Sequence, residues 1–171
     1  MKQVGVVLNT FSADKSSKGL PRPMVKSLEL VEGYGIVNDK FANGNLDKTV
    51  MIVGQASYQM AKDEGIDLTD GSYGENILFD FDPHEFDEGT IFQIGDALIE
   101  ITEKCTICKH LAVFGAKLPK LMKNHRGLYC KILKGGVICK DDSVYMIKEK
   151  GEEEYFSPAA YLDLEQKCKS A

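Results

Sequence analysis

Residues 89 to 103, GTIFQIGDALIEITE, decide how this chain is read. Isoleucine, phenylalanine, leucine and threonine dominate this long stretch. Runs of that composition, bounded by turn residues, form strands. The same pattern recurs outward in both directions. VGVVLNTF (4–11) is nearly continuous in apolar residues, MVKSLELVEGYGI (24–36) alternates loosely, and KTVMIVG (48–54) and GENILFDF (74–81) are short apolar runs. LYCKILKGGVICKDDSVYMI (128–147) reads as a hairpin turning at Lys134, Gly135 and Gly136. Six or more strands with few helical interruptions predict an all-β barrel or sandwich.

Helical spacing occurs in three places. GQASYQMAKDEG (54–65) puts Ala56, Met60 and Ala61 on one face and stops at Gly65, as expected of a crossover helix. HLAVFGAKLPKLMKNH (110–125) spaces Leu111, Phe114, Leu118 and Leu121 helically, but Gly115 and Pro119 divide it. SPAAYLDLEQKCKS (157–170) opens with Ser157 as N-cap and Pro158 at the first helical position. The charged KEKGEEEYF (148–156) precedes it as a linker. These boundaries predict one domain over 1–148, followed by a linker and helix over 149–171.

Bulk composition narrows the classes of function. A chain of 171 residues, 43% hydrophobic and 27% charged, holds a single core. Its net charge of −5, with scattered lysines and arginines, gives no electrostatic footprint for nucleic acid. No apolar run approaches the roughly 20 residues of a membrane span, and the start carries no export signal, so a cytoplasmic protein is expected. Five cysteines, an odd number, then imply reduced thiols.

The stretch EKCTICKHLAVFG (103–115) carries the most chemical potential. Structural zinc wants four Cys or His ligands, and only one Cys-x-x-Cys knuckle is present, so zinc is not expected there. Haem attachment would need histidine where Lys109 stands, and no cysteine set supports an iron–sulfur cluster. A redox dithiol lacks its βαβ setting, while two small buried hydrophobes remain the bland alternative. Lys104, Lys109 and His110 favour a thiolate in their neighbourhood.

Two glycine-rich turns, EGYGIVNDKFANG (32–44) and DGSYGENILF (70–79), either expose backbone N–H groups to an anion or act as ordinary turns. Asp39 with Lys40, and Glu75 with Asn76, suit hydrogen bonds to a polar heterocycle or the capping of those turns. Lys18, Arg22, Lys40, Lys48 and Arg126 are the candidate phosphate anchors, with arginine's planar fork the best match. His84, in an acidic stretch, is expected to face water.

In order, these segments resemble the MOSC domain family, named after the C-terminal domain of molybdenum cofactor sulfurase. SKGLPRPMVKSLELVEGYGIVNDKFANG (17–44) is similar to the family's opening, which ends in G-D-[RK]-H-A-G. KTVMIV (48–53) resembles the next strand, and GSYGENILF (71–79) the F-G-E-N motif. FQIGDALIEITEKCTICKHL (92–111) resembles the strand leading to P-C-x-[KR]-L, and HRGLYCKILKGGVICKDDSVYMI (125–147) the closing segment with its G-D turn. The resemblance spans residues 3 to 147.

It implies a mainly β fold, a MOSC-type β-barrel with a few short peripheral helices. It places Cys108 at the family's cysteine, as ligand to molybdenum in a pterin cofactor or as carrier of a persulfide. Asp39, Glu75, Asn76 and Arg126 would line that pocket, helped by Lys18, Lys40 and Lys48. The activities implied are three: reduction of N-hydroxylated or N-oxide compounds with electrons from a donor protein, sulfur transfer from a sulfur donor protein, or noncatalytic carriage of the pterin. In the second, Cys105 would resolve the persulfide. Exposed barrel edges would favour a homodimer. Four departures stand out: Asn38 for glycine, Phe41 for histidine, Ile107 for proline, and Asp141 with Asp142 where Gly-Asp is usual.

Overall fold

The computed structural model describes residues 1–106 and 108–148. Eleven strands run through them: β1 Lys2–Phe11, β2 Met24–Val25, β3 Ser27–Val31, β4 Gly35–Ile36, β5 Val50–Gly54, β6 Ile77–Phe79, β7 Ile91–Ile94, β8 Ala97–Lys104, β9 Leu128–Lys134, β10 Gly136–Cys139 and β11 Ser143–Lys148. Two short helices, α1 Gln55–Asp63 and α2 Leu118–Leu121, and three 3₁₀ turns accompany them. No helix among the described residues is long and apolar enough to cross a membrane. The expected linker and C-terminal helix lie outside the described residues.

Seven strands in the order β11, β7, β8, β9, β5, β6, β1 close on themselves, because β11 also pairs with β1. The ten-residue β1 makes closure possible by serving two partners, β11 near its start and β6 near its end. Register shifts between Gln3 and Gly5 and between Val7 and Asn9 bend it from one to the other. A closed barrel has no free edge, so the edges expected for a dimer are confined to β2 and the small sheet of β10, β3 and β4.

β5 and β6 are the one parallel pair among the described strands, and α1 lies in the crossover between them. Parallel strands are commonly buried on both faces and lack alternation. That is the case here, for Val50, Ile52, Ile77 and Phe79 point into the barrel core, while Val53 and Leu78 enter a second apolar cluster outside it. Phe11, Ala61, Tyr73, Cys108, Leu111, Leu118 and Met122 complete that outer cluster. The inward face of α1 is Ser57 and Ala61, and the expected Ala56 is exposed. Gly115 and Pro119 do divide the second helical stretch, leaving a 3₁₀ turn at Lys109–Val113 and α2.

The expected hairpin of β9 and β10 does not form. β9 pairs with β5 and β8, whereas β10 crosses to the small sheet and pairs with β3. Gly135 and Gly136 allow this, since a Cβ on either would stand 2.6 to 2.7 Å from backbone of Leu30 or Ala97. β3 alternates cleanly, sending Leu28 and Leu30 into the barrel core. His84 is also placed otherwise than expected. Its side chain is only 5% exposed, because Asp82 caps the 3₁₀ turn Pro83–Glu85 and the ring packs beside His125.

Burial of β5 on both faces has a direct test. Ile52→Ala should cost about 2–5 kcal/mol and Val53→Ala about 2 kcal/mol. Urea unfolding measures both, and a neutral Val53→Ala would show that the outer cluster contributes little.

Candidate functional site

Outside β5 and β9 lies a cleft of about 630 Å³. The loop before β2 supplies Arg22, the turn after β4 supplies Lys40 and Phe41, and the 3₁₀ turn Leu46–Lys48 supplies Lys48. Met51, Gly74, Asn76, His110, Arg126 and Tyr129 complete the working surface. Four cations and no carboxylate line it, in a chain that is acidic overall.

Two guanidinium groups converge at Gly74. A Cβ at that glycine would stand 3.7 Å from Arg126 Nη2 and 3.9 Å from Arg22 Nη2. Gly74, with φ of +83°, adopts the left-handed backbone that glycine favours, and its bare surface leaves room between the forks. Each arginine is held from behind. Arg126 donates from Nε to the Tyr73 carbonyl at 3.2 Å, and Arg22 lies 3.7 Å from Asp39 Oδ2 while its backbone N–H donates to the Gly71 carbonyl. Burial lowers the Arg22 pKa, with Asp39 and then Glu75 opposing that shift. Arginine's starting value is high enough that the group stays charged.

The aromatic residues give the cleft flat faces. Phe41, half exposed, lies beneath the Arg22 guanidinium at 5.2 Å and near Lys40 Nζ at 5.4 Å. Tyr129 stands 5.4 Å from Lys48 Nζ, which also pairs with Glu103 at 3.2 Å.

Of the residues singled out in the sequence, Arg22, Lys40, Lys48, Asn76 and Arg126 line the cleft. Lys18 is exposed and takes no part in the lining. Asp39 and Glu75 are buried beneath it. Asp39 accepts from the Phe41 N–H, the Ser12 hydroxyl and Asn76 Nδ2, so it shapes the turn that presents Lys40 and Phe41. Asn38, before it, takes φ of +65°, which asparagine tolerates in place of glycine. Asp141 does the same at φ of +71°, so both departures preserve the turns.

Glu75 Oε1 accepts from the Tyr58 hydroxyl and the Gly71 N–H, and Oε2 is sealed without a partner among the described residues. Burial raises the Glu75 pKa, against the hydrogen bond from Tyr58.

Cys108 is 7% exposed and packs in the outer cluster, with Sγ 3.8 Å from the Met122 carbonyl. Burial raises its pKa, Arg126 pulls it down, and the nearby Cys105 raises it. Cys105 is buried too, with Sγ 3.4 Å from the Tyr129 hydroxyl. The thiols therefore stand behind the cleft wall, while Arg126 and Tyr129 face both the thiols and the cleft. Reading by residue type missed Tyr129 and the platform at Phe41, and His110, singled out for its effect on the thiols, lines the cleft. Aromatic residues on strands and turns look like core until their exposure is known.

Fold and site together define a closed β-barrel with a cationic, aromatic-sided cleft backed by paired thiols. The MOSC domain model matches residues 39–145, and the chain belongs to that family. Among solved structures, the YuaD protein of Bacillus subtilis superposes with a TM-score of 0.72 at 15% identity, covering 84% of this chain and 96% of its own. YiiM of Escherichia coli gives 0.66 at 16%, covering 85% and 71%. YiiM of Geobacillus stearothermophilus gives 0.62 at 18%, covering 86% and 75%. At these identities the likeness is one of fold. No curated protein sequence matches at a significant level.

The raised Glu75 pKa predicts how stability changes with pH. The folded protein holds a proton that the unfolded chain releases, so the stabilisation is full below the ordinary carboxyl range and is lost as pH rises through the folded value. Glu75→Gln keeps a neutral acceptor for Tyr58 and Gly71. Its unfolding free energy should gain on that of the wild type as pH rises above the ordinary carboxyl range in urea titrations. Parallel curves would mean that Glu75 is ionised in the folded state.

Proposed function

We propose that the cleft binds the phosphorylated pterin of the molybdenum cofactor, and that the protein is the catalytic component of a reductase for N-hydroxylated or N-oxide compounds. The observation that carries this reading is the convergence of Arg22 and Arg126 on Gly74 in a wall without carboxylates. Paired arginine forks match a phosphate, and the bare glycine leaves the space one would fill. Phe41 and Tyr129 offer π faces to a flat heterocycle. Asp39, Glu75 and Asn76 hold that wall in place, with Lys40 and Lys48 adding charge at its rim.

Cys108 is the metal ligand in this reading. A thiolate is the soft donor that a sulfur-rich molybdenum centre takes. Burial raises the Cys108 pKa and Arg126 offsets only part of that rise, so the metal itself would have to displace the proton. Bound there, the cofactor would supply oxygen-atom transfer at molybdenum. Removing oxygen from an N-hydroxyl compound consumes two electrons and two protons and releases water. A donor protein supplies the electrons.

One observation favours a second reading. Cys105 lies close enough to Cys108 for the ionisation of one to oppose the other. A persulfide on Cys108 would then have beside it a thiol able to attack Cys108 Sγ, forming a Cys105–Cys108 disulfide and releasing the outer sulfur as hydrosulfide.

Protein purified without oxygen, from cells that make the cofactor, distinguishes these readings by metal analysis and mass spectrometry. Stoichiometric molybdenum that is lost in Cys108→Ser and kept in Cys105→Ser supports the reductase. Arg126→Ala should weaken pterin binding about 10- to 100-fold, as loss of a charge-assisted hydrogen bond does. A mass gain of about 32 Da on Cys108 without metal supports the carrier instead. Molybdenum-free pterin bound equally by wild type and Cys108→Ser would leave a noncatalytic carrier of the cofactor, and no pterin, metal or persulfide would overturn all three.

A further inference from the structure

Behind the residues that carry Arg126 stands a cluster that the cleft does not use. Asp82 Oδ1 accepts the backbone N–H of His84 at 2.9 Å and lies 2.9 Å from His84 Nδ1. One carboxylate oxygen thus orients both the turn and the ring. A cation seated there would take the place of the proton between Oδ1 and Nδ1, leaving the ring's other proton on Nε2. Nε2, on the far side of the ring, is sealed from solvent and has no hydrogen-bond partner among the described residues. The side chain that bears it is 5% exposed. The ring of His125 meets that of His84 edge to face, centroids 5.6 Å apart. One ligand atom from each of Asp82, His84 and His125 lies within 4.8 Å of the other two.

We propose that Asp82, His84 and His125 bind a divalent transition-metal ion of the zinc class, at a site separate from the cleft and its thiols. Two imidazoles and a carboxylate are an ordinary ligand set for zinc, with bonds near 2.0–2.2 Å and water completing the tetrahedron. At such bond lengths neighbouring ligand atoms stand about 3.4 Å apart. The cluster reaches that spacing by side-chain rotation. His125 is half-buried, and its carbonyl accepts the Ser57 hydroxyl, so its backbone is pinned while its ring can turn. Burial favours neutral His84, the form that ligates. Lys104 opposes positive charge at His84 and tempers the affinity.

Binding at His125 would steady the segment whose next residue is Arg126. Zinc was not expected from cysteine spacing, and none of these ligands is a cysteine.

The test titrates the chelator-treated full chain with Co²⁺ alone. About one equivalent should bind, giving visible d–d absorption without the near-ultraviolet charge-transfer band of a cobalt thiolate. Asp82→Asn and His125→Gln, both at half-buried positions, should each weaken binding by about tenfold or more. The double variant Cys105→Ser, Cys108→Ser should keep it. Zn²⁺ should raise the melting temperature of the wild type more than that of His125→Gln, with far-ultraviolet circular dichroism verifying that each variant is folded. No stoichiometric binding by the wild type would overturn the site. So would binding that survives in folded His125→Gln and disappears in the double cysteine variant.

Discussion

One buried amide holds the barrel and the cleft in register. Asn76 takes the Met51 N–H on its side-chain oxygen at 3.0 Å and returns its own N–H to the Met51 carbonyl at 2.8 Å. Its Nδ2 reaches the Phe11 carbonyl at 3.1 Å and Asp39 Oδ2 at 3.5 Å, and its carbonyl accepts the Phe11 N–H at 2.8 Å. β1, β5 and the turn at Asp39 therefore meet at a single residue. An aliphatic side chain there would leave a buried N–H and a buried carbonyl unpaired, at about 1–3 kcal/mol each. The barrel's closure and the placement of Lys40 and Phe41 both depend on this hub.

The parallel pairing of β5 and β6 explains why the cleft lies where it does. A crossover helix must pack outside the sheet, so these strands bury both faces, and the outer face has its own apolar cluster under α1 and α2. The cleft opens beside that cluster, where Met51 and Gly74 leave the apolar cover incomplete. Buried polar groups collect at this boundary. Asp39, Glu75, Asn76 and Arg126 are all nearly inaccessible, and each is tied to backbone or to another side chain. Such a network holds charged groups in fixed positions before any ligand arrives, which lowers the ordering cost of binding.

Charge is partitioned rather than balanced. The chain carries a net −5, yet the cleft wall bears Arg22, Lys40, Lys48 and Arg126 with no facing carboxylate. The acids that touch these cations lie behind the wall, as Asp39 does for Arg22, or at its rim, as Glu103 does for Lys48. A local field of one sign on a protein of the other sign attracts anions selectively.

Much of the fold was legible because strand signals are local. The apolar runs at 4–11, 48–54 and 74–81 became β1, β5 and β6, and Gly115 with Pro119 split the helical stretch after Cys108 as their chemistry requires. Arg22, Lys40, Lys48, Asn76 and Arg126 were legible as site residues from charge and turn context. The fate of β10 was not. Gly135 and Gly136 look like a hairpin turn, but the β9 edges are already taken by β5 and β8, so the chain must cross to β3. His84 was misread for a related reason, since an acidic neighbourhood in sequence says nothing of His125 arriving from a distant segment. By itself, then, the sequence determined the strand content, the interrupted helices and the turns, including asparagine and aspartate in place of two glycines. Tertiary structure alone decided which arginines share one glycine, that the thiols stand behind the wall, and that two histidines meet. Those facts depend on contacts between residues far apart in the chain, which no local pattern encodes.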